Sequence, residues 1–460
     1  MAYRPGSASE LVTTLTTRIP RTWVIPTAEA PHRDVEADSS TLRVLTILLV
    51  CELFLQRLVV PAAGTGVPVI LPITLVGAVV LVRRGQLRTN LVRSRAYLIA
   101  MAACVLVAFT SFARGEPDAS LNSLMLLVVT YAPFIVGLSR EQARLLLPRL
   151  LDRFVILAGV LAGLALGQFG LQLVGVHYAD VLGDLVPSQF LAQNFNTSYP
   201  VHYGSTLYKS NAFVGLEPSY TSQFLAVGLI VSVLRRTRVW QIALFLLAIL
   251  STVSGTGILL VGFAGVLLAV HKGLRFTLSA LTVLVILVGA LSLTPAAKIF
   301  ASRATETSSS GSSGNLRFVT PYVRTWDNLS ANPERALFGN GPGWSDRDSQ
   351  AFSARTGLPL NYALLPKLLL EYGLVGSIGF LVLMAAAFIR GSPSFVLTGT
   401  MLFFYIVLSS SLLNPVVGYL VLLLLSWCCE DQHPLVAYRP DTRKIQLPAQ
   451  RDHAGLAGQR

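Results

Sequence analysis

Charge is the scarcest property of this sequence. Of its 460 residues only 13% are Asp, Glu, Lys or Arg, about half the share found in an ordinary soluble domain. Mean hydropathy is +0.61, and runs such as "LLVVTYAPFIVGL" and "LVLLLLSWCC" recur along the whole length. These features exclude a soluble globular enzyme and indicate a polytopic membrane protein. Acidic residues are scarcer still, 23 against 36 Lys and Arg, for a net charge of +13. A surplus of that size can signal nucleic acid. Here, however, the arginines cluster between hydrophobic runs, as cytoplasmic loops do, and no domain-sized basic face remains for a nucleic acid partner. Cysteine is rare as well. Cys51, Cys104, Cys428 and Cys429 all lie in apolar runs, none with a histidine in metal-ligand spacing. That excludes a readable disulfide framework or metal centre and leaves the four as packing residues. Neither a cofactor nor a metal is expected, and no internal repeat is present.

What the sequence has in abundance is apolar segments. Hydropathy predicts an all-α integral membrane protein of about twelve spans, at 42–60, 64–82, 96–112, 120–138, 154–174, 217–234, 239–253, 256–271, 276–294, 364–389, 395–412 and 415–429. Basic residues follow every even-numbered span. Arg83, Arg84, Arg88, Arg93 and Arg95 follow the second, Arg140, Arg144, Arg149 and Arg153 the fourth, and Arg235, Arg236 and Arg238 the sixth. Lys272 and Arg275 follow the eighth, Arg390 the tenth, and Arg439, Arg443 and Lys444 the twelfth. This bias places both termini in the cytoplasm; an eleven-span reading would strand one cluster on the wrong side. Residues 1–41 then form a polar cytoplasmic tail without a cleavable signal core, 42–429 the membrane domain, and 430–460 a basic cytoplasmic tail.

Two long loops face outward in this arrangement, at about 175–216 and 295–363. The first is polar and aromatic. The second opens on a flexible "TETSSSGSSGN" stretch and turns rich in arginine, aromatics and glycine. Both are expected to pack on the outer mouth of the bundle and to form one site there. Within the second, Arg317 and Arg324 stand seven apart, which in a continuous helix puts both guanidiniums on one face, two turns apart. Paired arginines suit phosphate oxygens, although the same groups also suit lipid headgroups or plain solvation. "ALFGNGPGW" follows. Its three glycines suggest an anion-cradling loop, but the lysine and preceding strand of a nucleotide loop are missing, so a structural turn is the default. Asn340, Gly341 and Trp344 are the substrate-binding candidates of this turn, with an indole suited to a sugar face, although plain packing is the default role for Asn340 and Trp344.

Further candidates lie at the edges of spans. Glu217 and Pro218 open the sixth, where Pro fits the first helical turn and Glu suits the positive helix end; Glu217 is also a candidate base for an attacking hydroxyl. Asn361, Lys367 and Glu371 lead into the tenth span, and Lys367 and Glu371, four apart, also fit a structural pair. His177 and His202 read as loop hydrogen-bonding residues. Ser254 and Thr256 lie in the "STVSGTG" hairpin. Glu52 and Arg57, five apart at the first span, are expected to satisfy one another or to sit at its outer end.

"EPSYTSQFLAVG", the "SGTG" hairpin, "R…W…P…LFGNGPGW" and "NYALLPKLLLEYGLVG" occur in an order that resembles the O-antigen polymerase and O-antigen ligase superfamily of bacterial envelope glycosyltransferases. The resemblance spans about 150 to 430. It implies a metal-independent transferase with a GT-C-type bundle, acting at the outer face of the cytoplasmic (inner) membrane. The donor it implies is an oligosaccharide on undecaprenyl pyrophosphate. The acceptor is a sugar hydroxyl of another lipid-linked repeat unit (polymerase) or of a different carrier (ligase). Arg317 and Arg324 match the loop arginines assigned to the leaving pyrophosphate, and membrane lipid, a chain-length regulator and a flippase are implied partners. Two positions depart from the pattern. Leu360 stands where ligases carry a histidine before Asn361, and Ser254-Gly255 replaces a common Ser-Arg. Losing the histidine favours the polymerase, with Glu217 the first candidate for the base. A twelve-helix transporter is the competing class, but the polar chemistry concentrates in two outer loops rather than at the membrane midplane.

Overall fold

The computed structural model describes residues 35–62, 65–116, 119–193, 195–201, 205–273, 313–409 and 412–429. Residues 1–34 of the N-terminal tail, the C-terminal tail, the ninth expected span (276–294), His202 and most of the "TETSSSGSSGN" stretch lie outside them. The described chain is a helical membrane protein. Its apolar helices are α1 (Val35–Phe54), α2 (Ile70–Arg83), α3 (Leu91–Ala113), α4 (Leu121–Tyr131) and α5 (Arg140–Leu173). After the short α6 (Val181–Leu185) come α7 (Pro218–Arg235), α8 (Val239–Ser251) and α9 (Gly255–Lys272). The second loop folds as α10 (Ser313–Phe318), α11 (Thr320–Ala331), α12 (Pro333–Phe338) and α13 (Trp344–Thr356). Three apolar helices close the bundle, α14 (Leu364–Met384), α15 (Phe395–Phe403) and α16 (Pro415–Leu424). Among the described residues, four segments are long and apolar enough to cross a membrane: Leu91–Ala113, Arg140–Leu173, Gly255–Lys272 and Leu364–Ile389. The last joins α14 to a π-helical turn, Ala385–Ile389.

Among the described residues, two short antiparallel strand pairs interrupt the helices. β1 (Val59–Ala62) pairs with β2 (Thr65–Pro68), so the ends of the first two expected spans are strand rather than helix. Hydropathy reports burial and not period, and a four-residue apolar strand passes for helix. In addition, α1 begins at Val35, several residues inside the expected polar tail. β3 (Leu87–Thr89) pairs with β4 (Val136–Leu138), bringing the arginine cluster after α2 and the one in the first turns of α5 to one end of the bundle. Arg235 joins them there through both carboxylate oxygens of Asp152, 2.9 Å each. The opposite end carries both long loops.

Local capping holds several helix starts, and of these only the Pro218 start is among the sequence expectations. Asn90 caps α3 by accepting from the amides of Val92 and Arg93, Ser139 forms a capping box with Gln142 at α5, and Pro218 stands in the first turn of α7. Phe134, Phe388 and Tyr405 meet edge to face in the core, where their apolar area is hidden from lipid and water alike. All four cysteines are free, and no metal-binding cluster occurs among the described residues.

The expected Glu52–Arg57 pair does not form. α1 ends at Phe54, so Arg57 swings out of the helix and grips Asp180 of the first loop at 2.5 and 2.7 Å. Burial works against the Asp180 charge, but the Arg57 hydrogen bond and charge hold its pKa below the usual carboxylate value. Glu52 stays behind, 1% exposed, with no hydrogen-bond partner for either carboxylate oxygen among the described residues. Replacing Glu52 with leucine removes two unsatisfied oxygens at similar volume. The variant is expected to be neutral or stabilised by about 1–3 kcal/mol. Thermal unfolding in detergent measures this, and an equal loss would mean that Glu52 has a partner.

Candidate functional site at the loop end of the bundle

Glu217 is placed by a buried amide network. On α5, Gln168 Oε1 accepts from Ser210 Oγ (2.8 Å) and the Asn211 amide (2.9 Å), and its Nε2 donates to Asn211 Oδ1 at 3.0 Å. One turn on, Gln172 clamps the backbone of Tyr208 from both sides, accepting from its amide at 2.7 Å and donating to its carbonyl at 3.2 Å. This anchorage holds Ala212 and Phe213 at φ of 56° and 63°, a left-handed strain of order 1–3 kcal/mol each that persists only where surroundings impose it. The strained turn delivers Glu217 to the start of α7. Its carboxylate does not cap the helix. It accepts instead from Ser219 Oγ at 2.9 Å and from Arg317 Nη2 at 3.0 Å.

That last bond joins the two long loops. Arg317 and Glu217 are both largely buried, the side chains 13% and 12% exposed. Burial acts against the Arg317 charge, yet the Glu217 carboxylate outweighs it and holds the arginine pKa above its usual value.

Arg324 is not on the same continuous helix. The backbone breaks at Val319 between α10 and α11, so the seven-residue spacing does not put the two arginines on one helical face. Instead Arg324 grips both oxygens of Asp348, at 2.5 and 3.1 Å, and its Nε also reaches the Tyr362 hydroxyl at 3.3 Å. Tyr362 donates to Asp348 at 2.6 Å, and the Phe352 ring lies 5.5 Å from the guanidinium. Burial opposes this charge too, but Asp348 and Tyr362 raise the Arg324 pKa; burial and the Asp348 bond push the Tyr362 hydroxyl up.

Asp346 and Asp348, two apart on α13, point to opposite sides of that helix. Asp348 takes Arg324 of α11, while Asp346 takes Lys367 of α14 at 2.6 Å. Lys367 also lies 3.7 Å from Glu371, whose carboxylate accepts from Ser345 at 2.5 Å. The expected Lys367–Glu371 pair therefore forms as the looser half of a three-residue chain leading into the bundle.

The glycine turn does not present its amides to a ligand. α14 is kinked at Gly373, with φ 57° and ψ −163°. The kink leaves carbonyls of the preceding turn without helical partners, and the Leu370 and Glu371 carbonyls accept the amides of Asn340 (2.8 Å) and Gly341 (3.1 Å). The approach is so close that a Cβ on Gly339 would lie 2.5 Å from the Glu371 carbonyl oxygen. "LFGNGPG" and "LLLEYG" are thus two halves of one backbone contact. Asn340 is fully buried behind it, donating to Asn328 Oδ1 at 2.8 Å. Asn340 and Gly341 support the site and do not line it.

What lines it is an open cleft of ≈ 230 Å³ formed by Arg324, Asp327, Asn328 and Trp344. The first three stand at i, i+3 and i+4 on α11 and so share a face. Trp344, the first residue of α13, closes the cleft across from them. Asn361, between Leu360 and Tyr362 in the sequence, is half-buried and does not line the cleft. His177 is exposed, and Thr256 bonds to Ser254 within its hairpin and to the Ser219 carbonyl in the first turn of α7. Asp327, Asn328, Asp348 and Tyr362 escaped the sequence reading. The helical spacing from Arg324 could have revealed the first two, whereas Asp348 and Tyr362 meet Arg324 only through the folding of the loop.

Fold and site together define a helical membrane protein with an arginine- and carboxylate-lined cleft at one end of its bundle. Compared with known protein families and with curated protein sequences, the chain matches none.

Proposed function

We propose that the protein is a metal-independent glycosyltransferase that extends a polysaccharide. It would pass a glycan from undecaprenyl pyrophosphate to a sugar hydroxyl of another lipid-linked repeat unit, at the outer face of the bacterial cytoplasmic membrane. A twelve-span GT-C-type bundle with both termini in the cytoplasm, and a chain-length regulator and flippase as pathway partners, belong to the same proposal. The observation that carries it is the cleft. An arginine, an indole, an amide and a carboxylate converge at the mouth of a membrane bundle, a set suited to a sugar beside a phosphate.

In the reaction, the acceptor oxygen attacks the anomeric carbon and the bond from that carbon to the diphosphate oxygen breaks. The lipid pyrophosphate leaves with the bonding electrons. Arg324 and Arg317 offset the charge that develops on it. Both arginines rest on carboxylates before substrate arrives. A diphosphate that draws Arg317 away releases Glu217 to accept the proton of the attacking hydroxyl. The lipid diphosphate thereby prepares its own acceptor.

Deleting the gene and sizing the cell's surface polysaccharide tests the reading. Single repeat units are expected. Intact long chains that miss their final acceptor would indicate a ligase, and unchanged glycans would exclude both. For the base, Glu217→Gln keeps the size and hydrogen-bond reach of the side chain but cannot take a proton. Chain growth by the purified variant is expected to fall about 10²-fold or more. Full activity would leave Glu217 only the structural task of holding Arg317.

A further inference from the structure

α11 carries a set of side chains that neither the core nor the cleft uses. Pro321 and Thr325 are its buried residues, and Arg324, Asp327 and Asn328 face the cleft. The third face, Val319, Tyr322, Val323 and Trp326, follows the spacing i, i+3, i+4, i+7 and is open, its members 36% to 73% exposed. At 100° per residue this apolar stripe is centred about 140° from the cleft residues. One short helix therefore faces protein, a polar cavity and something apolar at once.

The position of the helix says what the apolar partner is. α11 packs on α14, and Arg324 bonds to Tyr362, two residues before α14 begins. α14 is the core of a segment long and apolar enough to cross a membrane, so α11 sits at the membrane-boundary end of that segment. Exposed apolar residues also stand on the elements packed with it or with its neighbour α12: Leu337 of α12, Phe109 and Phe112 of α3, and Leu374 and Ile378 of α14. α3 and α14 are both parts of segments long and apolar enough to cross a membrane, so their exposed apolar residues are the ones that meet acyl chains. Tyr and Trp are also the residue types favoured where headgroups meet hydrocarbon.

We propose that α11 lies flat in the boundary layer of the leaflet at the loop end, with Val319, Tyr322, Val323 and Trp326 in lipid and the cleft turned away from it. The helix then fixes the cleft at headgroup depth, where the polar head of a lipid-anchored ligand reaches it without leaving the membrane. This seating does not depend on the transferase reading. It holds equally for any protein built on this bundle.

Tryptophan quenching tests it with the full chain in vesicles of phosphatidylethanolamine and phosphatidylglycerol, with no polyprenyl lipid present. Trp326→Phe replaces one exposed ring by another, and its unfolding midpoint should match the wild type. The emission lost in Trp326→Phe is expected to be the component most strongly quenched by phospholipid brominated on the acyl chain near the headgroup, and poorly quenched by iodide. A lost component quenched by iodide instead would overturn the proposal by placing the stripe in water. One quenched by neither would overturn it by placing the stripe under protein. Lipid quenching that appears only after undecaprenyl phosphate is added would overturn it in favour of the carrier's own tail.

Discussion

Arg324→Lys keeps the positive charge at the cleft and is expected to lose chain growth by about 10²- to 10³-fold, the scale of removing one well-placed donor from developing charge. Arg324 uses Nε and Nη2 together, meeting the two oxygens of Asp348 at 3.1 and 2.5 Å with Tyr362 as a third contact. A diphosphate offers the same pair of oxygens to the same fork. An ammonium presents one point of charge and cannot reproduce it. Product length from a lipid-pyrophosphate-linked repeat unit, with protein levels checked, is the measurement; wild-type chains from the lysine variant would reduce the site to simple charge. Arg324→Ala should abolish growth, but it also strands Asp348, only 10% exposed, without its cation. The double variant Arg324→Ala/Asp348→Asn removes that stranded charge. It should recover any lost stability and none of the activity, which separates a fold defect from a functional one.

Gly373→Ala should have the largest effect on the fold. The kink requires φ 57° with ψ −163°, a region essentially reserved for glycine and costing other residues about 1–3 kcal/mol. A Cβ there would also lie 2.4 Å from the Leu337 carbonyl oxygen and 2.5 Å from the Gly339 nitrogen. Both atoms are backbone, so neither rotates away, and the glycine turn must lift off α14. A loss of about 3 kcal/mol or more follows, read as a large drop in the thermal unfolding midpoint. Gly357→Ala is the control: its φ is 71° but nothing lies within 4 Å of the added carbon, so only about 1 kcal/mol is expected. Equal effects at the two glycines would show that the close contact with α14 contributes nothing.

The apolar helices and the Pro218 start of α7 were legible because hydropathy and capping act between residues near one another in sequence. The β1–β2 hairpin was not, since a short apolar strand and a helical end share one composition. The pairing of Arg57 was misread for a related reason. Helix spacing assigned it to Glu52, but the helix had already ended, and Asp180 was 123 positions away. At the cleft, the arginines were visible as residue types, while the carboxylates that hold them were hidden by distance along the chain.

Composition and hydropathy alone determined that the chain is a helical membrane protein with its polar chemistry in two loops, because partition into lipid depends on side-chain type and run length. Only the tertiary structure decided what the glycines of "ALFGNGPGW" do. The amides of Asn340 and Gly341 go to carbonyls freed by a kink some thirty residues on, and whether an amide is open to a ligand depends on which acceptor reaches it first. The same is true of Arg317 and Arg324. Sequence supplied two cations, and folding assigned each a carboxylate, because ion pairs form between groups that packing makes neighbours.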